Sequence, residues 1–572
     1  MKQLLLVSCL LSLSAILGLP EVKADVRMPL IFGNHMVLQQ DTRITIWGWA
    51  DAGENIEVLF AGQKVKTTAN ADGTWQVKLK PVKTKKKGET LTITGKNKLV
   101  YSDVLVGDVW VASGQSNMEW GIKVRKEYAD DIAHSEDSLL RLFFVPKNTS
   151  LQPLSEIEIP QGTASPERAA RWVLCTPEML AKINGQGFSA TAYYFARDMR
   201  VANGRPLGVI QSAWGGTRAE AWTSLSGLKQ EPALAHYVAA YEKNVKDNPE
   251  ILATYPQKQK EFDTAVREWD QTIGKEWNQA QKEWAVAVRA AQADGKPAPA
   301  KPEPRVPRPP NPRKPDGGNN GPANLFNAMI SPLIPLSIKG VIWYQGEFNS
   351  GGSAKEYATL FSRMITDWRE KWGIGDFPFV YVQLPNFEPV DQEPSVEGNG
   401  WRWVREGQLK ALSLPNTAMA VTIDVGDPFD LHPVDKYDVG HRLALAARKL
   451  AYGEKIVGMG PLYKKMSVEG NKIILEFTNQ GKKLMIGTSP YIPAGEQPTL
   501  KSTKLTGFGI AGIDRKFVWA DAIIDGNKII VSSSEVTAPV AVRYGFSNSP
   551  RCNLYNEKGL PASPFRTDNW DK

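Results

Sequence analysis

Two kinds of apolar pattern follow one another along the chain. From residue 26 to about 103, apolar and polar positions exchange every second residue. Ile44-Thr45-Ile46-Trp47-Gly48-Trp49, Ile56-Glu57-Val58-Leu59-Phe60 and Trp75-Gln76-Val77-Lys78-Leu79 show it, with a turn at Asn70-Ala71-Asp72-Gly73. This period predicts half-buried β-strands. It returns after about residue 455, in Lys472-Ile473-Ile474-Leu475-Glu476-Phe477 and Lys528-Ile529-Ile530-Val531. Between these regions the apolar runs become continuous, over 104–112, around Val209-Ile210, over 340–344 and over 417–425. Short unbroken runs of this kind suit strands buried on both faces of a parallel sheet. The pattern predicts an α/β unit over 104–452, between a β-rich region at 25–103 and another at 453–572.

One stretch departs from this plan. In an insertion at about 226–320, Phe262, Val266, Trp269, Ile273 and Trp277 recur at helical spacing, and Trp284 continues the stripe. A proline-rich run with interspersed Lys and Arg follows, from Pro297 to Pro315. The stripe predicts a helical hairpin or arm, and the prolines an extended return path. The tryptophans are candidates for packing within the arm, for a wall against sugar rings, or for a subunit contact.

The ends of the continuous runs carry the chemistry. They read Ser113-Gly114-Gln115-Ser116-Asn117-Met118, Ser212-Ala213-Trp214-Gly215-Gly216-Thr217 and Gln345-Gly346-Glu347-Phe348-Asn349; the fourth leads to Asp430-Leu431-His432-Pro433. Small and polar residues at the carboxyl edge of a parallel sheet are where α/β proteins contact ligands. A hydroxyl at such a turn, Ser116, becomes a nucleophile if a histidine reaches it. Of the five histidines, His432 alone follows one of these strands at its carboxyl end; His441 falls in a helical pattern and reads as structural. Asp430, two residues earlier, is placed to hold the imidazole in the tautomer that accepts a proton. The glycines, with the Gln345 amide, are candidate donors to an oxyanion.

These blocks resemble the sialate O-acetylesterase family, a branch of the SGNH-type carbohydrate esterases. The matching residues are Gly107-Asp108-Val109-Trp110 with Gly114-Gln115-Ser116-Asn117-Met118, Trp343-Tyr344-Gln345-Gly346-Glu347, and His432-Pro433 with Lys436 and Gly440. The tail Asn553-Leu554-Tyr555-Asn556, Gly559-Leu560-Pro561-Ala562 and Pro564-Phe565-Arg566-Thr567-Asp568 also matches. The resemblance implies an SGNH-like parallel sheet flanked by helices, with jelly-roll-like β regions at either end that pack together. It implies Ser116 as nucleophile, His432 as base, and the Ser116 and Gly216 amides with Gln345 as oxyanion donors. No metal or other cofactor is implied.

Common SGNH enzymes place the orienting aspartate three residues before the histidine, where this chain has Phe429. Asp430 is the expected acid, with Asp427 or a Ser–His dyad as alternatives. Asn117, Glu347, Arg218 and Arg402 are candidates for contact with the sugar, as is Arg405, and Glu347 is alternatively a brace for the site. The expected substrate is an O-acetylated carbohydrate, sialic acid by the family's name, with acetylated xylan or xyloglucan as the alternative. A glycan-binding protein that keeps the fold without catalysis is the competing class.

Composition adds the compartment. Lys2, an apolar core from Leu4 to Leu19 and Val22-Lys23-Ala24 make residues 1–24 a secretory signal peptide, which predicts an exported, periplasmic or secreted protein. No later apolar run is long enough to span a bilayer. Cys175 and Cys552 then remain, one disulfide if they meet. A net charge of +8 over 572 residues is modest, and its cluster at Lys83 and Lys85-Lys86-Lys87 lacks aromatic interleaving, so no nucleic-acid partner is expected. Gly185-Gln186-Gly187-Phe188-Ser189-Ala190 mimics a dinucleotide fingerprint but follows a polar stretch and reads as a loop. A Gly-x-Ser-x-Gly elbow is absent around Ser116, unlike the usual lipase.

Overall fold

The computed structural model describes residues 25–293, 299–388, 391, 393–394, 400–427, 430–487 and 503–570. The expected signal peptide and Phe429 lie outside them.

The strand Lys98–Gly114 organises the molecule. Its first half alternates between exposed and partly buried residues, and its second half, from Val104, is buried throughout. The change in pattern read at 103/104 therefore lies inside one continuous strand. The first half pairs antiparallel with Lys85–Thr94 in the N-terminal β region. The second half enters a parallel sheet, flanked by Leu207–Ala213 on one side and Gly340–Tyr344 on the other. Phe379–Gln383 and Thr417–Val421 continue the sheet beyond Gly340–Tyr344. Asp137–Phe144 and the antiparallel edge strand Trp172–Cys175 extend it on the other side. The chain leaves its first parallel strand in both directions, a topological switch point, and ligands of open α/β sheets bind outside the carboxyl ends there.

Helices cover the sheet. Ala190–Asn203 starts on a Ser189 cap and stops at Gly204, which takes the left-handed conformation at φ 62°. Lys436–Tyr452 starts on an Asp435 cap. The two pack closely because Gly440 has no side chain; a Cβ there would stand 2.6 Å from Tyr194 Cβ and 2.7 Å from the Phe195 nitrogen. That approach brings the loop before Lys436 over the end of the first strand.

Each β region docks on this unit. The N-terminal one is built into the long strand, and Arg43 O accepts from Ser337 Oγ at 2.8 Å. The C-terminal one is held through Arg405, which donates to Ser547 O at 2.7 Å and Asn548 O at 2.9 Å, and through Gln383, which donates to Ser563 Oγ at 2.9 Å. Both regions contribute to one continuous apolar core with the sheet and its helices.

The insertion forms an arm of two helices, Ala235–Gln271 and Ile273–Ala293. The proline segment runs back along it, zipped on by indole N–H groups. Trp269 donates to Val306 O at 2.8 Å and Trp284 to Pro299 O at 2.9 Å. An extended proline segment leaves its carbonyls without internal partners, and these tryptophans meet some of them. The stripe thus packs within the arm. Cys175 and Cys552 are each buried and unpaired, so they form no disulfide. Among the described residues no helix is long and apolar enough to cross a membrane.

Candidate active site

Ser116 opens the short helix Ser116–Glu119 directly after the first strand. The turn depends on Gly114, whose φ of 139° suits glycine and where a Cβ would lie 2.1 Å from Tyr344 O. Across 316 residues of sequence, His432 Nε2 stands 2.9 Å from Ser116 Oγ. The imidazole is stacked on the Trp120 indole, with ring centroids 4.4 Å apart and planes 17° from parallel.

Asp430 is the carboxylate beside the imidazole, at 3.5 Å between Oδ1 and His432 Nδ1. That separation acts through charge more than through a tight hydrogen bond. The tighter contact is from the His432 backbone N–H to the same oxygen, 2.8 Å. The other carboxylate oxygen accepts from Arg125 Nη2 at 2.5 Å. Burial pushes the Asp430 carboxyl up, but the His432 hydrogen bonds and the Arg125 guanidinium outweigh it and hold it at about 2. Asp427, the alternative acid, instead accepts from the Asp430 backbone N–H at 3.2 Å.

The Ser116 N–H lies in the first turn of its helix, where amides lack an intrahelical acceptor. Gly215 packs against Ser116, since a Cβ on it would stand 3.1 Å from Ser116 Cβ, and its N–H donates to Glu119. The following residue, Gly216, sits at φ 67° with open space where a Cβ would stand. Its carbonyl is fixed by Asn320 Nδ2 at 2.9 Å, so the end of the insertion holds this loop.

Gln345 does not supply the expected third donor. Its side-chain N–H groups go to Thr217 O at 3.1 Å and Asn349 Oδ1 at 2.6 Å, and it is fully buried. It ties the strand-end loops together instead.

Comparison with known proteins follows the same lines. The family described as carbohydrate esterase, sialic acid-specific acetylesterase, matches residues 320–449. The sialate O-acetylesterase of Mus musculus is 28% identical, covering 93% of this chain and 92% of its own. That of Homo sapiens is also 28% identical, over 94% and 92%. A carbohydrate acetylesterase from Xanthomonas citri, known as a crystal structure, is 34% identical with a TM-score of 0.71, covering 95% of this chain and 100% of its own. The chain belongs to the sialate O-acetylesterase family of carbohydrate esterases.

In this family member, two of the residues expected to contact sugar turn inward. Asn117 is fully buried and donates to Glu347 Oε1 at 2.5 Å; Glu347 is 5% exposed. Burial raises the Glu347 carboxyl above its usual range. Lys436 reaches Asn117 Oδ1 from the other side, and burial lowers its ammonium to about 7 against the pull of Glu347 and Asp430. Glu347 is thus buried and hydrogen-bonded within the site.

Arg402 is nearly buried and packs on Trp403 and Phe546. Arg405 is spent on backbone carbonyls, and burial lowers its guanidinium to about 9. With Glu406, Tyr463 and Arg566 they line a cavity of about 610 Å³ beneath the C-terminal strands, which contains none of the residues around Ser116. Arg218 alone of these candidates is open to solvent, with its guanidinium 5.2 Å over the exposed Phe348 ring. Sequence reasoning missed Trp120 and Arg125. Trp120 follows the nucleophile block closely, but nothing in the chain marks Arg125 as the partner of an aspartate 305 residues away.

Proposed function

We propose that the protein is an exported serine esterase that removes O-acetyl groups from carbohydrate, with acetylated sialic acid as the substrate class. The observation that carries the reading is the 2.9 Å contact of Ser116 Oγ with His432 Nε2, in a chain whose relatives are carbohydrate acetylesterases. The rival glycan-binding reading requires these two groups to be too far apart to exchange a proton, and the contact argues against it. The sheet order, with neighbours on both sides of the first strand, is compatible with the SGNH-type architecture.

In the proposed reaction His432 takes the Ser116 proton as Oγ attacks the acetyl carbonyl carbon. The Ser116 and Gly216 N–H groups hold the oxyanion. The bond from carbon to the sugar oxygen breaks, and that oxygen takes the proton from His432. Water then attacks the acetyl-serine, passes a proton to His432, and acetate leaves with Ser116 restored. Asp430 and Trp120 keep the imidazole in place throughout.

The test is acetate release from O-acetylated sialic acid, acetylated xylan and acetylated xyloglucan by the wild type and Ser116→Ala. Release that is fastest on the sialic acid and vanishes in the variant is expected. Faster release from a plant polysaccharide would reassign the substrate, and equal, negligible release by both proteins would overturn the reading.

A further inference from the structure

Both ends of the loop that carries His432 are tied to a single side chain, the one immediately after the nucleophile. The Asn117 amide nitrogen donates to Leu431 O at 3.1 Å and to Glu347 Oε1 at 2.5 Å, while its oxygen accepts from Lys436 Nζ. Leu431 precedes His432, and Lys436 follows it at the start of the helix Lys436–Tyr452. Asn117 therefore spans the mouth of the loop from the nucleophile's own helix.

Its orientation is fixed by the chemistry of its partners. An ammonium only donates, a peptide carbonyl only accepts, and an ionised carboxylate only accepts. Turning the amide over would set its oxygen against the oxygens of Leu431 and Glu347, and its nitrogen against the Lys436 donors. Asn117, Lys436 and Glu347 are all buried, at 0%, 1% and 5% exposure, so water does not relieve such a mismatch. The reaction sequence assigns none of the three a bond to make or a proton to move.

We propose that Asn117 is a positioning residue that sets the separation of Ser116 and His432, held in one orientation by Lys436 and Glu347. This rests on Ser116 and His432 being the reacting pair. A misplacement of about 1 Å in such a pair costs about 10²-fold in rate.

The test is a double-mutant cycle on an activated aryl acetate, with thermal melts to confirm folding. Asn117→Ala and Lys436→Met are expected to lower kcat about 10²-fold with KM within about twofold. In a His432→Ala background the same changes are expected to cost less than about threefold, because the group they position is gone. Glu347→Gln keeps an acceptor toward Asn117 and is expected to stay within about fivefold of wild type, whereas Glu347→Met follows Lys436→Met. The several variants keep the test open if one fails to fold. Losses that recur in full in the His432→Ala background, or a raised KM with kcat intact, would overturn the clamp while an inactive Ser116→Ala upholds the reacting pair. An active Ser116→Ala would overturn the pair and the clamp with it.

Discussion

The Arg125 guanidinium lies 2.5 Å from the Asp430 carboxylate and 5.1 Å over the Trp120 ring, whose indole stacks on His432. One arginine thus supports the imidazole by two routes, through its carboxylate and through the aromatic ring against its face. Removing it frees both. Arg125→Ala is expected to lower kcat about 10- to 100-fold with little change in KM, and Arg125→Lys to recover part of the loss, since a lysine restores charge but not the planar fork. Steady-state kinetics of the two variants checks this.

Asp430 is expected to contribute less than a tightly bonded triad aspartate, because its oxygen is 3.5 Å from His432 Nδ1. His432→Ala is expected to reduce kcat by roughly 10⁴- to 10⁶-fold, and Asp430→Asn by about 10²-fold. With its carboxyl held at about 2, Asp430 stays ionised throughout the working range. The acid limb of kcat/KM above about pH 3 then arises elsewhere, so Asp430→Asn should lower the profile and keep that limb. A limb that disappears in Asp430→Asn would contradict this.

The buried lysine gives a stability signature. Its ammonium titrates at about 7 in the folded protein, against a usual lysine value of about 10.4 when unfolded. Between those values the unfolded chain binds more protons, so this group makes stability rise with pH over that window. The cost of burying the charge is fully present below about pH 7 and fades toward pH 10. Lys436→Met removes the titration. Melting curves across this range should therefore show wild type gaining on the variant as pH rises, and parallel curves would contradict the assignment.

Gly215 tests the packing of the loop that carries the proposed oxyanion donor Gly216. A methyl group there stands 3.1 Å from both Ser116 Cβ and Glu119 Oε2, tighter than ordinary contact. Gly215→Ala is expected to reduce kcat about 10-fold by displacing the loop or the serine, while the melting temperature changes little. A fall in stability with kcat preserved would place the role of Gly215 in folding.

Much of this was legible in the sequence, for physical reasons. Strands buried on both faces are largely apolar along their length, so the runs ending at Ala112, at Ile210 and at Tyr344 betrayed the sheet. Small and polar residues at the carboxyl ends of such strands are where α/β proteins contact ligands, which singled out Ser116 and His432. What stayed hidden depends on packing between distant segments. Gln345 and Asn117 are both amides at strand ends, and no periodicity tells a donor aimed into a cleft from one bonded to a neighbouring loop. Arg402 and Arg405 were candidates for contact with the sugar, but docking of the C-terminal β region buries them. The stripe of the arm was read correctly as helical, whereas its partner, the carbonyls of the proline segment, was not foreseen.

The most direct measurement is to quench the enzyme during turnover of an activated acetyl ester and map the peptide that carries an added acetyl group of about 42 Da. Acetyl on Ser116 in the wild type, and on no residue of Ser116→Ala, is the predicted result. Steady turnover with acetyl on another residue, or undiminished turnover by Ser116→Ala, would contradict the account.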